Sequence, residues 1–566
     1  MNRLFSMMAH QGTIKMTWRG KTFLVLFLLL IFLLSFHQIW DSDTFYHIKT
    51  GQVILSSGRV PTADIFSYTA PGALWVTHEW LVEVIFYLVT AGFGLWGLIG
   101  FAAFCITLSY FLVVRSALQK KANIYIALIF GFIIACPLVI HSVSTSAAAM
   151  AALAFSFLIY CLEKYRTAPR VFYLALSVLV IWLWANMHAS FLLGLVVITF
   201  YAIALRAQMK FPRWFGKARI DARRANYLSV AALVSWGAAF LNPNTYRIFF
   251  YISYVQELAR VLNITEYHSV LSLLGNPIAQ AFLVEVILSG LFLVWHYGIK
   301  EEGRDAVTLG LFCGVSILPF ISIAYTIFWP FVVIAPLAVA ASSILDRGTK
   351  KISWGILFGL FAALGLLALV AAIISLPRSP VSDTALPVKA VDFIKQNNIH
   401  GPLFNTYDDG GYLIWALWPQ EKVAIDMRSE VFRGRPVQEY LDVMNAESDW
   451  KQIVDQEYGI NYFVLHYWKQ SISSGYAPLF EALSNDNFRM VYWDDNAVIM
   501  VRATPENEHL IKEYGTSHVD PFVLPEDIST NVSQTEAELK ALAARFPGVQ
   551  DIQYFLARFL QTHGLQ

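Results

Sequence analysis

A chain of 566 residues that is 57% apolar and 14% charged, with a mean hydropathy of +0.53, falls well below the charge content of about 25% usual in soluble domains. That excludes a soluble enzyme, a disordered chain and a coiled coil. A net charge of +1 excludes a nucleic-acid partner held by bulk charge, and 17 Trp, 26 Tyr and 42 Phe suit a membrane protein with aromatic anchors at its interfaces.

In chain order, eleven apolar runs predict spanning helices, at 22–40, 92–114, 123–142, 144–162, 171–186, 189–207, 226–242, 278–297, 306–323, 325–345 and 353–375. The first run follows Lys15, Arg19 and Lys21. It is too long for a signal peptide and has no small-residue cleavage site before Trp40-Asp41, so it reads as an anchor. With a cytoplasmic N-terminus, the inner segments hold 22 Lys and Arg and the outer loops 4. Cytoplasmic loops carry this excess in membrane proteins, so the alternation supports both helix count and orientation. Cys105, Cys136, Cys161 and Cys313 all fall inside the apolar runs and read as small packing residues, not a disulfide or metal framework.

An odd number of spans places residues 376–566 outside the membrane. The composition changes there, after Leu376-Pro377-Arg378-Ser379-Pro380. Strand-like runs at Val423–Ile425, Tyr462–Leu465 and Ala497–Val501 alternate with helical stretches at 387–398 and 436–446, which predicts a small α/β domain over 376–530. Residues 531–566 read as a helical hairpin turning at Pro547-Gly548. The predicted fold class is therefore a polytopic α-helical membrane protein of about eleven spans over 1–375, with an extracytoplasmic α/β domain and a short helical tail.

Ionisable side chains beside a membrane are costly and mark function by default. The first outer loop, 41–91, is the richest in them. It opens Trp40-Asp41-Ser42-Asp43-Thr44-Phe45-Tyr46-His47-Ile48-Lys49-Thr50-Gly51, and the apolar spacing after Asp43 predicts a helix lying on the membrane surface. Asp43 and His47, at i and i+4, share one face. Two carboxylates and an imidazole there could deprotonate an acceptor or hold a divalent cation. The alternative is that one acid caps the helix and the other is solvated.

The loop continues to His78-Glu79-Trp80, which could complete a site with Asp43, or form an interfacial helix with its polar face in water. At the turn Trp184–Ser190, Asn186 and His188 could line the same outer cavity. Arg247, after Asn242-Pro243-Asn244, could pair with a phosphate. Glu266 and His268 read as a solvated face. In the tail, Asp409-Gly410-Gly411 offers a turn or a close backbone approach, and Asp426 and Arg428 read as a local ion pair or as substrate contacts.

No phosphate-binding P-loop, dinucleotide fingerprint, zincin motif or nucleophile elbow is present. Glu285 is the clearest acid inside a span, fewer than an ion-coupled transporter needs.

An N-terminal span followed by a long outer loop that opens on Asp41-Ser42-Asp43 resembles the GT-C superfamily of membrane glycosyltransferases. The strings Asp43 to Gly51, His78-Glu79-Trp80, Trp184 to His188, Asn405 to Tyr412 and Asp426 to Arg428 look similar to an uncharacterised bacterial branch of that superfamily, related to protein mannosyltransferases, the lipid A aminoarabinose transferase and the catalytic subunit of oligosaccharyltransferase. The resemblance implies an inverting transfer from a polyprenyl-phosphate-linked sugar to a glycan, lipid or protein acceptor, in the bacterial inner membrane and on its periplasmic side. It implies Asp43 or Asp41 as general base, and Arg247, Lys49 or Arg59 beside the leaving phosphate. His47, His78, Glu79, Asn186, His188, Asp409, Asp426 and Arg428 would shape the substrate site, and a divalent cation is left open. A flippase of lipid-linked glycans and a non-catalytic envelope assembly factor are the competing readings. The first expects internal repeats, which the sequence lacks. The second expects the helical tail to dock a partner.

Overall fold

The computed structural model describes residues 16–565 apart from 143–145, 217–219, 300–304, 346–353 and 468–476. Several basic residues of the charge alternation, Lys217, Arg219, Lys300, Arg304, Arg347, Lys350 and Lys351 among them, lie outside the described residues.

Every predicted apolar run contains a helix. The first is α1 (Trp18–Leu34), capped by the Thr17 hydroxyl, which accepts from the Gly20 N–H at 3.2 Å. The outer loop follows and opens with α2 (Asp43–Ser57), closed by Gly58 in the left-handed conformation. Next comes α3 (Trp80–Gln119), 40 residues interrupted at Gly94, whose φ of 66° breaks the helix into an outer-loop half and a membrane half.

The bundle continues with α4 (Ile124–Ser142), α5 (Ala147–Thr167), α6 (Val171–Trp184), α7 (Phe191–Lys210) and α8 (Ala222–Ala238). The strongly amphipathic α9 (Tyr251–Val261) comes next, then α10 (Pro277–Leu293), α11 (Ala306–Ile317), α12 (Pro330–Leu345) and α13 (Trp354–Ile374). Among the described residues, four helical segments are long and apolar enough to cross a membrane: Trp80–Gln119, Ala147–Thr167, Phe191–Lys210 and Pro277–Ile299. Further apolar helices fall short of that length over their described residues, so four spans are established this way and the count of eleven is not confirmed.

Beyond the bundle, α14 (Val388–Gln396) leads to a four-stranded sheet of order β1-β2-β4-β3. It comprises β1 (Leu403–Asn405), β2 (Tyr462–His466), β3 (Phe488–Trp493) and β4 (Ala497–Arg502). β1 and β2 run parallel through a crossover containing α15 (Gly410–Leu417) and α16 (Arg435–Met444), whereas β4 pairs antiparallel with both β2 and β3. The strands are buried on both faces, which is why they read as continuous apolar runs. The expected strand at Val423–Ile425 is not in the sheet. Val423 instead bridges to Ser67 of the outer loop, while β1 and β3 are strands the pattern did not expose.

The tail forms α17 (Val532–Arg545) and α18 (Gln550–His563), packed on the sheet through Phe546 against Tyr492 and Phe555 against Trp493. One apolar core runs through the first outer loop, the sheet and the tail hairpin. A second fills the helix bundle.

Candidate active site

The site is built where the outer loop meets the C-terminal domain. The linker is the first tie. Ile39, two residues before Asp41, donates to the Pro380 carbonyl at 2.9 Å and accepts from Ser382 at 3.0 Å. α2 is therefore pinned at its start. Its apolar face is covered by α15, with Phe45 5.0 Å from the Tyr412 ring and 5.1 Å from Trp415. Burying one such Phe is worth about 1.5–3 kcal/mol.

Gly410 and Gly411 allow this docking. A Cβ on Gly411 would sit 2.4 Å from the Ser42 carbonyl oxygen, and one on Gly410 2.2 Å from that of Ile425. The Ser42 hydroxyl accepts from the Tyr412 N–H at 2.9 Å instead of capping its own helix. The glycine pair serves close approach; neither residue has a positive φ.

With Ser42 engaged elsewhere, Asp41 satisfies the first N–H of α2, its carboxylate accepting from the Asp43 backbone at 3.0 Å. Asp43 is then left with a buried carboxylate oxygen, Oδ1, that has no hydrogen-bond partner among the described residues. Burial and the neighbouring Asp41 charge, with Glu266 and Glu79 adding to it, push its carboxyl well above the ordinary range, against the pull of His47. The alternative of one capping acid and one solvated acid holds for Asp41 as the cap, but Asp43 is crowded by protein rather than solvated.

One turn on, His47 is held between two carboxylates, Glu79 at 3.1 Å on Nε2 and Glu83 at 3.4 Å on Nδ1. Burial opposes the imidazolium, but the two acids outweigh it and hold His47 well above its usual value. Glu79 also faces His78 at 3.5 Å and His188 at 3.7 Å. Burial alone would raise its carboxyl, yet His78 and His47 hold it well below the ordinary range. His188 accepts from the Ser190 N–H on Nδ1 at 3.1 Å, and burial lowers its pKa. The His78 ring stacks on Tyr251 of α9, centroids 3.7 Å apart.

The loop and α9 thus bring together Asp41, Asp43, His47, His78, Glu79 and His188. Other expected residues sit elsewhere. Asn186 is a tertiary staple, accepting from Trp80 Nε1 at 2.8 Å and donating to the Trp182 carbonyl at 2.8 Å. Lys49 reaches the Trp418 carbonyl at 3.4 Å, and Arg59 and Arg247 are exposed on the loops. Asp409 is buried between the Thr406 hydroxyl at 2.7 Å and His466 Nδ1 at 3.1 Å.

Asp426 and Arg428 are sealed. Arg428 donates to Asp426 at 2.6 and 2.7 Å and to Asp64 at 2.7 Å. Its guanidinium lies 4.4 Å from the Trp75 ring centroid and 5.1 Å from that of Phe66. With Asp426 0% and Arg428 2% exposed, they join the C-terminal domain to the outer loop and leave no surface for a substrate.

Three further residues enter. Glu266, read as part of a solvated face, is exposed, with protein packed along one side of it. Burial, with Asp41 and Asp408 adding like charge, pushes it up to about 7. Glu430 is buried, its Oε2 lacks a hydrogen-bond partner among the described residues, and burial pushes it up to about 7. It lies in the electrostatic field of His78, Tyr46 and Tyr251. Tyr251 is the third. No spacing rule links residues at 43, 251, 266 and 430; only packing does.

A divalent cation needs several converging donors. Among the described residues no group of three or more His, Cys, Asp or Glu is placed to hold one.

The helix bundle with its C-terminal domain is similar in fold to solved oligosaccharyltransferase structures. The oligosaccharyltransferase of Archaeoglobus fulgidus, solved with a tethered acceptor peptide, superposes with a TM-score of 0.56 at 12% identity, covering 86% of this chain and 74% of that one. The same enzyme in complex with an inhibitory peptide and a dolichol-phosphate gives 0.55 at 12% identity, over 97% and 86%. ArnT from Cupriavidus metallidurans bound to undecaprenyl phosphate gives 0.47 at 13%, over 85% and 98%. No protein-family model and no curated protein matches the chain. The likeness is one of fold.

Proposed function

We propose that this protein is an integral-membrane glycosyltransferase. It takes a sugar from a polyprenyl-phosphate-linked donor and passes it to a glycan, lipid or protein acceptor on the periplasmic face. The observation that carries this reading is the buried Asp43 carboxylate oxygen without a hydrogen-bond partner among the described residues, at the start of the helix on which the C-terminal domain packs. It sits on a fold shared with an oligosaccharyltransferase solved with dolichol-phosphate.

Asp43 removes the proton from an acceptor hydroxyl. The acceptor oxygen forms a bond to the anomeric carbon, the bond from that carbon to the phosphate oxygen breaks, and the lipid phosphate leaves as an anion. A single displacement inverts the anomeric centre. The raised pKa of Asp43 makes it a stronger base once ionised. Asp41 is the lesser candidate because its carboxylate already caps α2. His47, locked by Glu79 and Glu83, fixes the helix that presents Asp43.

The test is transfer of labelled sugar from polyprenyl-phosphate-linked donors by purified protein. A general base contributes about 10²–10⁴ in rate, so Asp43→Asn should lose at least about a hundredfold while Asp41→Asn loses less. Undiminished transfer by Asp43→Asn would remove the base assignment. Donor translocation without any glycosidic bond formed would favour a flippase instead.

A further inference from the structure

The leaving phosphate needs a cation, and the side chains around Asp43 are mainly acids and histidines. The C-terminal segment 426–432 is held at the junction with the outer loop. Asp426 and Arg428 are clamped to Asp64, and Ser429 lies 3.3 Å from the Tyr407 hydroxyl. Glu430 is within the field of His78 and Tyr251, and Val431 and Phe432 are buried. The next residue, Arg433, emerges from this strap. It is exposed, and its guanidinium carbon sits 4.1 Å from the centroid of the Tyr254 ring.

Tyr254 is one turn along α9 from Tyr251, which stacks on His78. Residues three apart share a helix face, so Arg433 stands over the same face that borders the Glu79 network. Among the described residues Arg433 has no ion-pair partner. A guanidinium held over an aromatic ring by this contact still has N–H donors to spare, in the fork that suits phosphate oxygens. α9 also contributes Tyr251 and Tyr254 to the bundle core and Leu258 to the outer core, which puts Arg433 at the level where the two bodies meet. Lys49 is instead held at Trp418, 3.4 Å from its carbonyl and over its ring.

We propose that Arg433, delivered by the C-terminal domain and oriented by Tyr254, binds the phosphate of the lipid-linked donor. This rests on the glycosyltransferase reading above and extends it to a residue for donor recognition.

The experiment measures binding of undecaprenyl phosphate and dolichyl phosphate to the full-length protein in lipid nanodiscs. Undecaprenol, which lacks the phosphate, and phosphatidylglycerol, a bulk lipid phosphate, serve as comparisons. A charge-assisted contact of this kind is worth roughly tenfold in affinity. Arg433→Ala should therefore bind both polyprenyl phosphates about tenfold more weakly and undecaprenol unchanged. Arg433→Lys should fall between the two.

Wild-type-like binding of the phosphates by Arg433→Ala overturns the proposal, as does an equal loss for undecaprenol, which would mean a damaged lipid slot. Competition by phosphatidylglycerol as strong as by undecaprenyl phosphate overturns the assignment to the donor. The two readings fail separately. If no sugar is transferred while phosphate binding still depends on Arg433, the enzyme reading falls. If transfer is intact but binding ignores Arg433, this one does.

Discussion

Gly51 packs so closely on Glu83 that a Cβ at position 51 would stand 2.0 Å from the Glu83 carbonyl oxygen and 2.9 Å from the Tyr87 Cβ. This contact sets the crossing of α2 over α3. It thereby sets the distance from His47 to Glu83, one turn from Asp43. Neither obstructing atom is the end of a flexible side chain, so the helices themselves would have to separate. Overpacking of this kind costs about 1–3 kcal/mol and sometimes more. Gly51→Ala is expected at the upper end, with a clearly lowered Tm and lost transfer activity. A Tm equal to the wild type would show that the two helices are not held at this spacing.

The Asp64–Arg428–Asp426 cluster makes a second prediction. All three side chains are buried, and they belong to the outer loop on one side and the C-terminal domain on the other. Removing one partner of a buried pair costs about 3–5 kcal/mol, because the remaining charges are left uncompensated. Arg428→Met leaves two carboxylates facing each other and should loosen the domain from the loop. Limited proteolysis should then cut near the 376–381 linker sooner than in the wild type, where Ile39 pairs with Val381. Unchanged proteolysis would mean that the cluster does not carry the junction.

These two junctions separate what was legible in the sequence from what was not. The apolar runs announced the bundle, and helical spacing paired Asp43 with His47 and Glu79 with Glu83. Those are local facts, decided by a 3.6-residue period. Asp426 and Arg428 read either as a local ion pair or as substrate contacts, and the fold bears out the ion pair. Their further partner, Asp64, is more than 350 residues away in sequence, and only the fold reveals that the charges are sealed. Val423–Ile425 has the composition of a strand, but its pairing partner is Ser67 of the outer loop rather than the sheet. Glu266 is exposed, as its solvated-face reading had it, but its closeness to Asp43 comes only from the fold. Glu430 and Arg433 gave no signal, since their meaning comes from Tyr251 and Tyr254.

At the opposite ends of the membrane helices from the cleft, a second charged network joins α3, α5, α7 and α11. Glu163 receives Lys120 at 2.7 Å, Arg166 at 2.8 Å and the Tyr201 hydroxyl at 2.7 Å. Arg166 continues to Asp305 at 2.9 Å, and Gln208 reaches the same carboxylate at 3.2 Å. Glu163 is the hub. Glu163→Gln leaves Arg166 with Asp305 but strands part of its charge, a loss of about 3 kcal/mol. The prediction is a lower Tm with kcat per folded molecule unchanged, because no residue of this network borders the cleft. A selective loss of kcat without a change in Tm would place the network in the reaction.

The final prediction concerns pH. Asp43 works as a base only when ionised, so activity is present above its pKa and lost below it. Burial and then Asp41 raise that pKa well above the ordinary carboxyl value, with Glu266 and Glu79 on facing segments in the same direction and His47 opposing them. The acid limb of kcat/KM should therefore lie clearly above the usual aspartate value of about 4. Removing the Asp41 charge takes away one of the terms that raise it. Asp41→Asn should move the limb to lower pH, while the Asn side chain keeps a carbonyl able to cap α2. The His47→Gln variant should move it the other way, because the cation that favours ionised Asp43 is gone. Rate profiles of the three proteins decide the matter. A limb that stays fixed in both variants would mean that the titrating group in the rate profile is not Asp43.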